Sequence, residues 1–194
     1  MTYAYDAGNN LTRLTFVSPS ARWTQTLAVA GTSNRAVEET DGGANGVPAG
    51  AFDAAGNPLR LEGIPALAWD HRGALRAAVT VERACGDPDG VFSTYGASGE
   101  RVRKVWQAVQ AGGTVREVTL YLGPFEIHRT VAGGRVVNEY RRLRVMDADR
   151  CAVQWLRWTV GGPPAGGSAD QHRYQLDDRL GSSAMEVDAR GRLL

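Results

Sequence analysis

Apolar and polar positions alternate along this chain with a period near two, as at Tyr3 and Tyr5 and again at Leu11, Arg13 and Thr15. That period lets a strand bury one face and wet the other, so short β-strands are predicted. Between the alternating runs a phrase recurs: an aromatic residue, Asp, a short polar step containing Gly, then an aliphatic residue. Its clear copies are Tyr5-Asp6-Ala7-Gly8-Asn9-Asn10-Leu11, Phe52-Asp53-Ala54-Ala55-Gly56-Asn57-Pro58-Leu59 and Trp69-Asp70-His71-Arg72-Gly73-Ala74-Leu75. Weaker copies are Tyr95-Gly96-Ala97-Ser98-Gly99-Glu100-Arg101-Val102 and Val187-Asp188-Ala189-Arg190-Gly191-Arg192-Leu193. Each has the parts of a hairpin: an Asp whose carboxylate accepts hydrogen bonds from amides ahead of it, and a Gly that takes positive φ. In the first copy Asn9 stands where the others have Gly. Asn tolerates left-handed geometry next best, so that turn is expected to survive with a shifted type.

Self-similarity of this kind marks a repeat architecture, in which no unit buries its apolar face alone. The copies are therefore expected to stack edge to edge into a continuous, extended and curved sheet, giving an all-β fold with little helix. Composition agrees. There are 24 glycines in 194 residues, as frequent tight turns require, and 43% apolar residues, enough to fold rather than remain disordered.

Charge removes several function classes. A formal net charge of +1 provides no field to gather nucleic acid or anionic lipid. No run of about 18 apolar residues exists to span a bilayer, and Met1-Thr2-Tyr3-Ala4-Tyr5-Asp6 shows no basic region followed by an apolar run, so no secretory leader is visible. Cys85 and Cys151 lie in no C-x-x-C or Cys/His cluster; a zinc site lacks its ligand set, and sequence alone leaves their pairing open.

Candidate chemistry is sparse. His71, His128 and His172 fall in different segments with no second ligand at metal spacing, His71 in a predicted turn and His128 in a predicted strand. Asp177 and Asp178 are adjacent, so on a strand they point to opposite faces and are better read as preparing a turn at Gly181. Ser182 and Ser183 follow His172 but lack a G-x-S-x-G elbow. Gly42-Gly43-Ala44-Asn45-Gly46 lacks the spacing of a phosphate loop, and the Gly/Pro-rich stretch Gly161 to Ser168 reads as a flexible connector. Arg141-Arg142-Leu143-Arg144 reads as a solvated strand face flanked by Glu139, Asp147 and Asp149. Trp155 and Trp158 suit either a strand pair or a partner contact. No catalytic, cofactor-binding or metal-binding residue is assigned, and no cofactor is implied.

Longer phrases carry a resemblance. They are Gly56-Asn57-Pro58-Leu59-Arg60-Leu61 leading to Leu67-Ala68-Trp69-Asp70, Tyr95 to Lys104, Leu120-Tyr121-Leu122-Gly123-Pro124-Phe125-Glu126-Ile127-His128-Arg129, Leu143-Arg144-Val145-Met146-Asp147, and Tyr174-Gln175-Leu176-Asp177-Asp178-Arg179-Leu180-Gly181-Ser182-Ser183. Their wording and order resemble the YD/RHS-repeat part of bacterial insecticidal toxin-complex C components and of related SpvB-like and RHS toxins. The resemblance covers most of the chain, with residues 17–50 the least matched. It implies that the turn residues Tyr5, Asp6, Gly8, Phe52, Asp53, Gly56, Trp69, Asp70, Gly73, Tyr95 and Gly99 belong to YD repeats. It also implies that Tyr174, Asp178, Leu180, Gly181 and Ser182 open the RHS-associated core.

On that reading residues 1–117 are repeats, 118–160 a strand-rich continuation of the sheet, 161–170 a linker and 171–194 the start of the core. The family's repeats wind into a hollow β-shell, built with a B component, around a C-terminal toxin. Other shell repeats or a B-type component, and an enclosed toxin polypeptide, are thus the implied partners, with nucleic acid and membrane excluded. The implied role is structural and not enzymatic, and the implied location is outside the cell as part of a toxin complex, or otherwise the cytoplasm. The family core continues past the residues matched by Val187 to Leu193 into a self-cleavage region, which is carried over to no residue here. The expectation is a shell fragment, a decayed gene copy, or a small partner that completes another sheet. The alternative is a cell-surface YD module that binds carbohydrate or protein.

Overall fold

A computed structural model describes residues 1–39, 50–148, 150–164, 166–178 and 182–194, with the side chain of Ser183 excepted. Leu180, Gly181 and the Gly42 to Gly46 stretch fall outside these residues. The described residues contain strands and turns and no helix. They divide into two compact units, Met1–Leu61 and Glu62–Leu194.

The first unit holds a four-stranded antiparallel meander of β1 (Thr2–Tyr5), β2 (Leu11–Val17), β3 (Arg22–Val29) and β4 (Ala36–Glu38). A further turn is closed by a single bridge between Phe52 and Pro58. In the second unit ten strands follow one another in strict sequence order: β5 (Ala66–Trp69), β6 (Leu75–Val81), β7 (Asp89–Tyr95), β8 (Arg101–Gln110), β9 (Gly113–Leu122), β10 (Phe125–Ala132), β11 (Arg135–Asp147), β12 (Arg150–Val160), β13 (Asp170–Asp177) and β14 (Ser183–Asp188). Every neighbour pair is antiparallel, so each connection can be a tight turn. The hairpins stack laterally as expected, in two sheets rather than one. The ten-stranded sheet is open, with β5 and β14 as its outer strands.

Alternation gives this sheet two unlike faces. Register places Val105, Val118, Leu120, Ile127, Phe125, Leu143, Val153, Trp155, Tyr174, Leu176 and Met185 on one face, as an apolar band beside a charged one of Arg116, Arg129, Glu139, Arg141 and Arg157. The other face carries Lys104, Thr119, His128, Tyr140 and Trp158 in one row and Tyr121, Glu126, Arg142 and Leu156 in the next. Among the described residues of this unit the buried apolar side chains are Leu67, Val105, Leu156 and Trp158. Val145, Tyr174, Leu176 and Met185 lie together on the apolar face and are 39–51% exposed, so no described residue of the unit covers this end of the face.

Two long connections are tied down by side chains. In the β6–β7 loop Arg83 grips both oxygens of Asp89, at 2.6 and 2.8 Å, while Arg116 reaches Asp87 at 2.6 Å and Gln107 donates to the Pro88 carbonyl. The Gly/Pro-rich connection after β12 is held where Asn138 donates to the Gly162 carbonyl and where the Trp158 amide donates to Ala169. Both cysteines are free thiols, Cys85 exposed and Cys151 half-buried.

Candidate functional site: a repeated turn and a buried carboxylate

The recurring phrase folds, copy after copy, into one turn. In each copy the residue before the Asp position pairs with the residue six further on: Tyr5 with Leu11, Phe52 with Pro58, Trp69 with Leu75, Tyr95 with Arg101, Asp177 with Ser183, and Val187 with Leu193. The amide at the Asp position donates to the carbonyl four residues on, at 2.8–3.0 Å, in Asp6, Asp53, Asp70, Gly96, Asp178 and Asp188 alike. The residue three on donates back, from Asn9, Gly56, Gly73, Gly99 and Gly191, and each of these has positive φ, between 61° and 92°. This is a three-residue hairpin loop whose last residue is left-handed and forms a bulge.

Asn9, with φ 61°, forms the same hydrogen bonds as the glycines, so the expected shift of turn type does not occur. Asn adopts left-handed geometry at less cost than other residues with a Cβ, so the shared geometry holds. Gly8 contributes its amide to the Asp6 carboxylate and does not take the left-handed position.

The carboxylate fills the loop. Oδ1 of Asp6 accepts from the amides of Gly8 and Asn10 at 2.8 and 2.9 Å, and Asp70 accepts from Arg72 and Ala74 at 2.8 and 3.0 Å. Asp188 accepts likewise from Arg190 and Arg192, and Asp53 and Asp178 each accept from the amide four residues on. These bonds favour the ionised form. The side chain and amide of Asn10 hold Asp6 below the ordinary carboxylate range, and Asn57 does the same for Asp53.

The Tyr95 copy lacks the Asp, and its carboxylate comes from the far side of the loop. A Cβ on Gly96 would lie 2.5 Å from Oε1 of Glu100, because that side chain folds over the position an Asp would fill. Glu100 is bonded by the Ser98 hydroxyl and by the amides of Glu100 and Ser98, which lowers its pKa. The Asp178 copy, read from sequence as the opening of a core, shares with the others the pairing of Asp177 with Ser183, the bond from the Asp178 amide to the Ser182 carbonyl and the bond from the Ser182 amide to the Asp178 carboxylate.

A second cluster sits near the middle of the polar face. Glu126 on β10 is 2% exposed. His128 Nε2 lies 2.8 Å from its Oε2, Arg142 bonds the same oxygen through Nε at 3.1 Å and through Nη2, and Arg144 Nη2 lies 3.3 Å from Oε1. Burial raises the Glu126 pKa, but bonding and charge from Arg142, with His128 and Arg144, outweigh it and the carboxyl sits below its usual value. Burial depresses the His128 pKa against the pull of Glu126. The hydrogen bonds assign the neutral ring's proton to Nε2, with Nδ1 facing the Thr119 hydroxyl at 3.3 Å. His128 stacks on Tyr140 at 4.4 Å between centroids, and Tyr140 on Trp158 at 5.0 Å.

This corrects one expectation. Arg142 and Arg144 do not form a solvated face; strand alternation turns both onto the side of Glu126, leaving Arg141 on the other side. His128 lies in a strand and His71 in a turn. Trp158 is buried in the aromatic stack, while the indole N–H of Trp155, on the opposite face, donates to Asp170.

The turn carboxylates accept from backbone amides and Glu126 from two guanidinium groups and an imidazole, and Ser182 lies at the other end of β13 from His172. Among the described residues no three metal-binding side chains converge.

An open antiparallel sheet of hairpins in which one turn geometry recurs defines a β-repeat protein. Among known proteins the chain is homologous to a segment of two toxin subunits of Yersinia entomophaga. It is 30% identical over 194 residues to YenC1 and 34% identical over 198 residues to YenC2, matching 99% and 98% of this chain. It spans about one fifth of the length of each. All of the chain superposes on 9% of a chain in the crystal structure of TcdB2–TccC3, with a TM-score of 0.79 and 30% identity. The Photorhabdus luminescens Tc holotoxin pore gives 0.81 at 29% identity over the same shares. No family profile matches the chain.

Proposed function

We propose that this chain is a section of the wall of a toxin-complex shell, non-catalytic in itself, that helps enclose a toxin polypeptide for delivery outside the producing cell. The observation that carries the reading is the open ten-stranded sheet, homologous along its whole length to a segment of much longer toxin subunits. Among the described residues no further strand pairs with the outer side of Ser183 to Met185, and large apolar side chains stand exposed on the face that carries Tyr174 and Leu176. Both need further protein: strands at the edges and a polypeptide over the face.

The Asp-centred turns serve this role by fixing the pairing of the strands they join in the same way at each copy. On this reading they are YD repeats, with Tyr5, Asp6, Gly8, Phe52, Asp53, Gly56, Trp69, Asp70, Gly73, Tyr95 and Gly99 as turn residues, and Tyr174, Asp178 and Ser182 begin the RHS-associated core. The partners are further shell repeats or a B-type component, of the kind that TcdB2 supplies to TccC3 in the similar complex.

Co-expression of the tagged chain with a B-type toxin component, followed by size-exclusion chromatography, tests the proposal. Stoichiometric co-elution is expected. Elution of the chain alone, as a monomer, would refute a wall role.

A second reading rests on the first unit, where Tyr3 and Trp23 are 56% and 43% exposed and Phe16 stacks on Trp23 at 5.7 Å. Register puts Tyr3, Phe16 and Trp23 on one face, the kind of platform on which sugar rings stack. Retention on immobilised oligosaccharide, lost in Trp23→Ala, would favour a surface-binding module.

A further inference from the structure

On the face that carries Leu143 and Tyr174, two cations meet. Arg141 and Arg157 stand directly opposite each other across β11 and β12, and both are exposed. Like charges so placed repel, and the sheet alone gains nothing from the pair. The nearest carboxylates on this face are committed elsewhere. Glu139, the next residue of β11 on the same face, accepts from Arg129 Nε at 2.5 Å and from the Thr159 hydroxyl at 2.7 Å, so Arg141 lends it only a field. Asp170, opposite Arg157 on β13, accepts from the Trp155 indole. Neither Arg141 nor Arg157 makes a hydrogen bond or ion pair among the described residues.

Further along the same strands the face turns apolar. Leu143 lies opposite Trp155, Val145 opposite Val153 and Val153 opposite Tyr174, and Leu176 opposite Met185. Exposure follows the face and not the strand: on β13 His172, Tyr174 and Leu176 are exposed, while Gln171, Arg173 and Gln175 on the reverse side are half-buried. Val145 is four residues from Arg141, and Leu176 six from Asp170, so at about 3.4 Å per residue the apolar patch lies about 14–20 Å from the arginines.

We propose that this face of β11 to β13 is a docking surface for an acidic, amphipathic polypeptide segment. Its carboxylates bridge Arg141 and Arg157, and its aliphatic or aromatic side chains, about four to six residues away in extended conformation, cover Val145, Tyr174 and Leu176. Charge complementarity selects this occupant: a free anion would satisfy the arginines and leave the apolar patch bare, and an apolar segment would leave two guanidinium groups opposed. The inference rests on the wall reading, in which a polypeptide lies over this face, and specifies the chemistry of that polypeptide.

The probe is a fluorescein-labelled synthetic peptide with paired glutamates, a spacer of about four serines and an end bearing leucine and tyrosine; in a second peptide glutamine replaces the glutamates. Binding to the 194-residue chain is followed by anisotropy for wild type, Arg141→Gln, Arg157→Gln, the double arginine variant and Tyr174→Ser. Saturable binding is expected, about tenfold weaker in either arginine variant and for the glutamine peptide, and weaker also in Tyr174→Ser. The two peptides should bind the double variant equally, because the charges they differ in have lost their partners. Arg141→Gln should melt no lower than wild type, since it relieves repulsion in the free chain. Equal affinity of the two peptides for wild type, no saturable binding, or displacement of the peptide by millimolar inorganic phosphate overturns the proposal. So does a lowered melting temperature in Arg141→Gln, which would give the pair a folding role, or self-association of the chain in place of peptide binding. The wall reading is judged separately, by co-elution of the double variant with the B-type component.

Discussion

Single residues decide the turn, and they do so through backbone conformation and one carboxylate. Gly99 has φ 89° with open space where a Cβ would stand, so a substitution there tests conformation without a clash. Gly99→Val is expected to lower stability by about 1–2 kcal/mol and Gly99→Asn by much less, since Asn9 already holds that position in the first turn. Equal losses in chemical denaturation would contradict the equivalence of the two turns. The displaced carboxylate of the Tyr95 copy gives a sharper test. Glu100→Ala should lower the melting temperature of the wild-type chain but have little effect once Gly96→Asp restores the acid to its usual place. Additive effects would mean that Glu100 and an Asp at 96 do not share one role. The sequence shows only a degraded copy here, because the compensation lies four residues away on a side chain of another type.

Among elements, the hairpin of β10 and β11 shows why the turns were legible and the charge cluster was not. Asp, Gly and an alternating flank are local signals, readable wherever they occur. The contact of Glu126 with Arg142 depends on a count across the hairpin. Pairing starts at the Gly133-Gly134 turn, with Ala132 opposite Arg135 and Val131 opposite Val136, a register that would set Arg141 against Glu126. An irregularity between Thr130 and Val131 shifts the pairing by one residue and brings Arg142 there instead, with Arg144 on the same face. Nothing in the local sequence announces that shift.

Removing the carboxylate strands two guanidinium groups on the polar face. Glu126→Gln should therefore cost about 2–3 kcal/mol, less than a fully desolvated pair because both arginines remain partly exposed. His128 adds a pH dependence. Its folded-state pKa lies below the ordinary 6.5, so on acidification the unfolded chain takes up a proton that the folded chain resists, and stability falls as pH drops below about 7. The lowered pKa values of Glu126 and the turn aspartates add a further loss only below about pH 4. His128→Gln should flatten the upper part of this profile and leave the lower part. Parallel melting curves for the two proteins between about pH 7 and 5 would show that His128 is not the group responsible.

At the scale of the whole molecule, the hairpins' lateral order was readable from the repeat, but the sheet's dependence on neighbours appears only once exposure is known. Val145, Tyr174, Leu176 and Met185 look like core residues in sequence and stand exposed in the fold. The outer strands are equally incomplete. Residues 193 and 194 reach β14 only near Glu186 and Val187, leaving Ser183 to Met185 without an outer partner among the described residues. Amide hydrogen exchange is the direct measurement of this claim, made on the chain alone and in complex with a B-type component. The account predicts that the outward-facing amides of Ala66 to Ala68 and of Ser183 to Met185 exchange rapidly in the isolated chain and become protected in the complex, while those of β9 to β11 are protected in both. Rapid exchange of the outer strands in both states would contradict a wall segment completed by neighbouring strands.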